Sequence, residues 1–147
     1  MAPPDSIETC TPDEAWSGLK DNPDALLIDV RTQAEWSFVG VPDLSDLGRD
    51  VMLLEWMQFP TMAPNAHFAE TVMRALEQVN GRQVYFICRS GARSRDAAQM
   101  IKSFCAQQDM DVQCINVEEG FEGDLNGARQ RACVNGWKAR GLPWRQS

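Results

Sequence analysis

Residues Tyr85–Asp96 read YFICRSGARSRD, and this stretch decides the fold. An apolar run rich in aromatic and β-branched residues, Gln83 to Ile87, ends at Cys88. Such a run fits a strand buried inside a sheet. A turn containing Gly91 and the three arginines Arg89, Arg93 and Arg95 follows it. From Ser94 to Gln107, Ala97, Ala98, Ile101, Phe104 and Cys105 recur on one face at helical spacing. The unit is strand, tight loop, helix, with the cysteine at the carboxyl end of the strand. In open α/β sheets that is where ligands bind.

The same alternation extends outward. Ile7 to Cys10 is a short strand, and Thr11-Pro12-Asp13-Glu14 is a helix start with Thr11 as N-cap and Pro12 at the first helical position. Asn22-Pro23 closes that helix. Ala25 to Val30 is a continuous apolar run interrupted by Asp29, as in a parallel strand covered on both faces. Thr32 caps a short helix to Ser37, and Phe38 to Arg49, with two glycines and a proline, reads as loop. Val51 to Leu54 is a further strand, and Gln58 to Asn65 an irregular connection. Phe68, Val72, Leu76 and Val79 mark an amphipathic helix ending in a left-handed cap at Asn80-Gly81. After a strand over Val112 to Val117 the chain becomes glycine-rich, with a short helix near Trp137 to Arg140. The expected fold class is α/β, with a small, mainly parallel central sheet flanked by helices on both faces. The expected organisation is one domain over residues 1–147, with a core at about 6–123 and a glycine-rich C-terminal extension over 124–147.

Composition narrows the functions. The 147 residues are 44% hydrophobic and carry a formal charge of −7, which argues against a general nucleic-acid binder. Against that background, three arginines within the seven residues 89–95 stand out. The five cysteines, at 10, 88, 105, 114 and 133, include no C-x-x-C pair, and the single histidine, His67, completes no zinc set. No metal or other cofactor is expected. The first residues, MAPPDS, lack the basic and apolar regions of a signal peptide, and no apolar run approaches the roughly 18 residues of a membrane span. Reduced thiols in a cytoplasmic setting are the expectation, with no membrane or nucleic-acid partner.

Cys88 carries the chemical question. An isolated cysteine ending an apolar strand is ordinarily a small buried hydrophobe. Here the loop adds Gly91 for backbone freedom, a helix start whose N–H groups converge, and the charges of Arg89 and Arg93. All of these favour a thiolate nucleophile in an anion cradle, with no histidine base required. Cys105 and Cys114 fall on core positions, and Cys10 and Cys133 belong to no motif.

These residues identify a family. LLIDVRTQAEW (Leu26–Trp36) followed by CRSGARS (Cys88–Ser94) resembles the rhodanese, or sulfurtransferase, homology domain. GFEGDLN (Gly120–Asn126) and NGWKARGLPW (Asn135–Trp144) are similar to a bacterial single-domain subgroup. One segment departs from the pattern: Gly40-Val41-Pro42-Asp43-Leu44 stands where the family often has Gly-His-Ile-Pro-Gly-Ala. The resemblance implies two-step covalent catalysis through a Cys88 persulfide, with Arg89, Ser90, Gly91, Ala92, Arg93 and Ser94 forming the active-site loop. It implies a small anionic sulfur donor such as thiosulfate, and a thiol or cyanide acceptor, protein thiols included. Asp29 and Arg31, at another strand's carboxyl end, are expected to support the loop or to form an ordinary ion pair. Either Arg89 or Arg93 is open to capture by a structural acid. Phe121 and Trp137 are candidates for the wall of an acceptor site if the extension folds over it, and otherwise for core.

Loop length separates the family's branches. Phosphatases of this fold need C-x5-R, but the position five residues beyond the first intervening residue is Ser94, with Arg93 one step early and Arg95 one step late. The short loop matches sulfur transfer. A non-catalytic binding module of the same family is the alternative, and a cysteine phosphatase or arsenate reductase comes third.

Overall fold

The computed structural model describes residues 6–58 and 60–146. Residues 1–5, which carry most of the reading against a leader, lie outside the described residues.

Five parallel strands form the central sheet in the order β1-β8-β7-β2-β4. They are β1 (Glu8–Cys10), β2 (Leu26–Asp29), β4 (Met52–Leu53), β7 (Gln83–Ile87) and β8 (Gln113–Val117). Alternate residues of β7 face opposite layers, as the period of two requires. Val84, Phe86 and Cys88 pack beneath α3 (Phe68–Val79) and α4 (Ala92–Gln107). Tyr85 and Ile87 face α1 (Pro12–Asp21) and α5 (Gly136–Ala139) on the other side. Helices therefore cover both faces, which is why the strands read as continuous apolar runs.

Both expected N-caps carry full capping boxes. Thr11 Oγ1 accepts the Glu14 N–H while Glu14 accepts the Thr11 N–H, and Thr32 and Glu35 do the same at α2 (Gln33–Val39). Asn80 ends α3 in the left-handed region at φ 52°.

Three details depart from the sequence reading. The segment from Phe38 to Arg49 is not all loop: β3 (Val41–Pro42) pairs antiparallel with β9 (Trp144–Arg145). The connection after Trp56 contains a small antiparallel pair, β5 (Met57–Gln58) with β6 (Ala63–Pro64). Helix α4 begins at Ala92 rather than Ser94, because Gly91 itself is the N-cap, at φ 114°. That earlier start moves Arg93 and Ser94 into the first helical turn.

The extension is fastened to both halves of the molecule. Arg140 bridges Glu119 and Asp13, each at 2.6 Å. Lys138 Nζ donates to the Val39 carbonyl at 3.0 Å.

Candidate active site

Chain direction after β2 and after β7 places the site. From β2 the chain goes on to β4 on one side, and from β7 to β8 on the other. The gap between β2 and β7 is thus a topological switch point, the place where such sheets bind ligands. Cys88 follows β7 there, with Asp29 and Asn116 at the ends of the neighbouring strands.

Cys88 is almost wholly buried, at 1% exposure, and its sulfur meets two donors. Gly91 N–H and Ser94 Oγ each lie 3.1 Å from Sγ. Ser94 has one proton and three acceptors: Sγ, the Gly91 carbonyl at 3.3 Å and Asn116 Oδ1 at 2.6 Å. Asn116 Nδ2 in turn donates to the Gly91 carbonyl at 3.2 Å. The loop carbonyls are turned away from the sulfur. Cys88 O accepts the Phe121 N–H at 2.7 Å, and Arg89 O accepts those of Glu122 and Gly123 at 3.0 and 3.1 Å. With these carbonyls occupied outside, the Gly91 N–H is the backbone donor turned to the sulfur. Ser90 is half-buried and Ala92 exposed, and they supply loop backbone rather than side-chain contacts to sulfur.

The two arginines expected beside the cysteine differ. Arg93 gives both terminal nitrogens to Glu35, at 2.7 and 2.9 Å, so it is the one captured by an acid. Those hydrogen bonds raise its pKa against the burial of the group, and the charges of Glu35, Cys88 and Asp29 add to the rise. Burial pushes the Glu35 carboxyl up, but the Arg93 hydrogen bonds and charge outweigh it, and the group sits below its ordinary value. Arg89 is exposed and has no carboxylate partner among the described residues. Arg89, Arg93, Glu35, Glu122, Val39, Met62 and Arg131 line a cleft of about 450 Å³.

Asp29 and Arg31 form a fully buried pair, with Nη2 to Oδ2 at 2.6 Å and both side chains at 0% exposure. Arg31 also donates to the Gly40 carbonyl at 2.7 Å and stacks 4.3 Å over the Phe121 ring. Neither residue is bonded to the loop itself; the link runs through Phe121, whose N–H holds Cys88 O. Of the two roles open to Phe121 and Trp137, the wall of an acceptor site or core, their burial matches the second. Both have 0% exposure and fill the core between α5 and the sheet, so neither offers surface to an approaching molecule.

Sequence reasoning missed Asn116 and Glu35. A lone amide inside the apolar strand CINV was the available signal for the first, and the Thr32-x-x-Glu35 capping spacing for the second. Of the other thiols, Cys105 and Cys114 are buried in the core, Cys10 is half-buried and Cys133 exposed. Burial pushes both Cys10 and Cys114 up to about 12, which keeps them protonated and inert. No cluster of metal-ligating residues occurs among the described residues, and no helix among them is long and apolar enough to cross a membrane.

The chain is thus a parallel α/β protein with a cysteine-containing loop that enters a helix at the switch point of its sheet. The chain belongs to the rhodanese-like domain family, which matches residues 11–126. It is 43% identical to the crystal structure of Rv0390 from M. tuberculosis, with a TM-score of 0.79 over 97% of this chain and 100% of that one. A Rickettsia conorii protein, RC0915, is 31% identical over 139 residues, 95% of this chain and 98% of its own. The solution structure of a polysulfide-sulfur transferase homodimer from Wolinella succinogenes shares the fold, at TM-score 0.54 and 20% identity over 96% of this chain and 80% of that one.

Proposed function

We propose that the protein is a sulfurtransferase that carries a sulfane sulfur on Cys88, taking it from a donor such as thiosulfate and giving it to a thiol or to cyanide. The observation that carries this reading is the convergence of Gly91 N–H and Ser94 Oγ on the Cys88 sulfur, each at 3.1 Å.

In the first step the Cys88 thiolate attacks the outer sulfur of thiosulfate. A cysteine-to-sulfur bond forms, the donor's S–S bond breaks, and its electron pair leaves with sulfite. In the second step an acceptor thiolate, or cyanide, attacks the outer sulfur of the Cys88 persulfide. The acceptor leaves as a persulfide or thiocyanate, and the Cys88 thiolate is restored. The first-turn N–H groups of α4 have no helical acceptors and form the positive end of the helix dipole, which suits an anionic sulfur. Ser94 adapts to either charge state. Its proton points to Asn116 while the sulfur is a thiol and turns to the sulfur when that is an anion. Arg93 is committed to Glu35 and is therefore not free to close the ring that a phosphatase builds around phosphate.

Incubation with thiosulfate is expected to add one sulfur, about 32 Da, to the intact mass, carried on Cys88. Uptake at the wild-type rate by Cys88→Ser would overturn the reading.

A further inference from the structure

We propose that Arg131, in the extension beyond the family match, is a specificity-determining residue that makes this cleft select anionic over neutral sulfur compounds. This rests on the sulfur-transfer reading for the identity of the ligand, but the selectivity itself is a property of the cleft.

The extension is anchored so that Arg131 faces the loop arginines. Arg131 Nη1 donates to the Gly123 carbonyl at 2.7 Å, and the Ala132 N–H donates to the Glu122 carbonyl at 2.6 Å. Glu122 and Gly123 in turn donate their N–H groups to Arg89 O. Three short segments are thus stitched together edge to edge, and the Arg131 guanidinium lines the same cleft as Arg89 and Arg93. Charge balance in the cleft then favours an anion. Arg93 is neutralised by Glu35. Arg89 and Arg131 have no carboxylate partner among the described residues, and Glu122 is the remaining acid in the lining. Among the described residues, two guanidinium groups without a carboxylate partner share the lining with one unpaired carboxylate, in a chain whose formal charge is −7. Guanidinium is suited to bidentate contact with the oxygens of a sulfonate or carboxylate, so a thiosulfate-like dianion or a carboxylated thiol is the ligand class expected.

The test measures the reactivity of Cys88 towards iodoacetate and iodoacetamide in the full chain, quantified on the Cys88 peptide by mass spectrometry. Both reagents attack the same thiolate, so their rate ratio reports the field that the reagent meets on its approach past the loop and not the nucleophile. Arg131→Gln is expected to lower the iodoacetate-to-iodoacetamide ratio roughly threefold at low salt, and Arg131→Lys to retain most of it. Arg129→Gln removes the same charge from an exposed neighbour outside the cleft and is expected to leave the ratio unchanged. A ratio insensitive to Arg131→Gln, or lowered equally by Arg129→Gln, overturns the inference. Failure of the wild type to take sulfur from thiosulfate would remove the sulfur-transfer reading while the alkylation ratio still decides the role of Arg131.

Discussion

Asn116 holds Ser94 from behind, with Oδ1 2.6 Å from Ser94 Oγ at the end of β8. Its Nδ2 donates to the Gly91 carbonyl, so one buried amide steadies both groups that touch the Cys88 sulfur. Asn116→Ala leaves a buried hydroxyl and a carbonyl short of partners and is expected to destabilise the protein by about 1–3 kcal/mol in urea unfolding. Ser94→Ala removes a donor to the sulfur and is expected to slow persulfide formation about 10–100-fold, a smaller effect than losing a donor from an oxyanion hole. A Ser94→Ala variant with wild-type single-turnover kinetics would show that Gly91 N–H is sufficient.

The Glu35–Arg93 pair gives a pH signature. Glu35 is held below its ordinary value of 4.5, so its ion pair adds stability that is fully present above that pH. As pH falls through the lower folded value the carboxylate is protonated and the contribution is lost. Glu35→Gln is expected to be less stable than the wild type by a constant margin from neutral pH down to about 5, with the margin shrinking below 4.5. Thermal melts across that range check it, and a margin that persists undiminished at the acid end would sink the assignment.

The buried Asp29–Arg31 pair is expected to behave as one unit. Removing either partner strands the other charge at 0% exposure, which costs about 3–5 kcal/mol. Asp29→Asn and Arg31→Met singly are therefore expected to be strongly destabilising. The double variant is expected to be less damaged than the sum of the two, because no charge is left unpaired. Denaturant unfolding of all four proteins measures this coupling. Additive losses would mean that Arg31 acts through Gly40 and Phe121 instead.

How much of this was legible in the sequence follows from the range over which each signal acts. The β7 run, the Thr11 and Thr32 caps, the α3 stripe and the left-handed Asn80 are local, and periodicity or a capping residue announces each of them. The start of α4 was misplaced because Gly91 caps it through backbone conformation, without a Ser, Thr, Asp or Asn side chain to signal it. The β3–β9 pairing joins two-residue strands from far-apart parts of the chain, too short to show alternation and too distant to be linked by spacing. Cys88, Gly91 and Ser94 were visible because one loop contains them all. Glu35 and Asn116 reach that loop from α2 and β8, and only folding brings them there. The burial of Phe121 and Trp137 was open for the same reason: a glycine-rich tail does not reveal which face it covers.

Gly120 is where the tail presses hardest on the loop. A Cβ built there would lie 2.5 Å from the carbonyl carbon and oxygen of Arg89 and 2.6 Å from Cys88 O. These are backbone atoms of the cradle itself and have no flexible side chain to swing away. At φ 68°, any other residue is also strained. Gly120→Ala must therefore push the loop or the Phe121–Gly123 segment apart, loosening the bonds that turn the Cys88 and Arg89 carbonyls outward. Carbonyls released from those bonds can rotate towards the sulfur, where they repel an anion instead of stabilising it. Gly127→Ala is the control, since nothing lies within 4 Å of the added methyl. Sulfur uptake from thiosulfate is expected to fall at least about tenfold in Gly120→Ala and to be unchanged in Gly127→Ala. Equal activity in the two variants would show that the close approach of Gly120 to the loop is not what shapes the cradle.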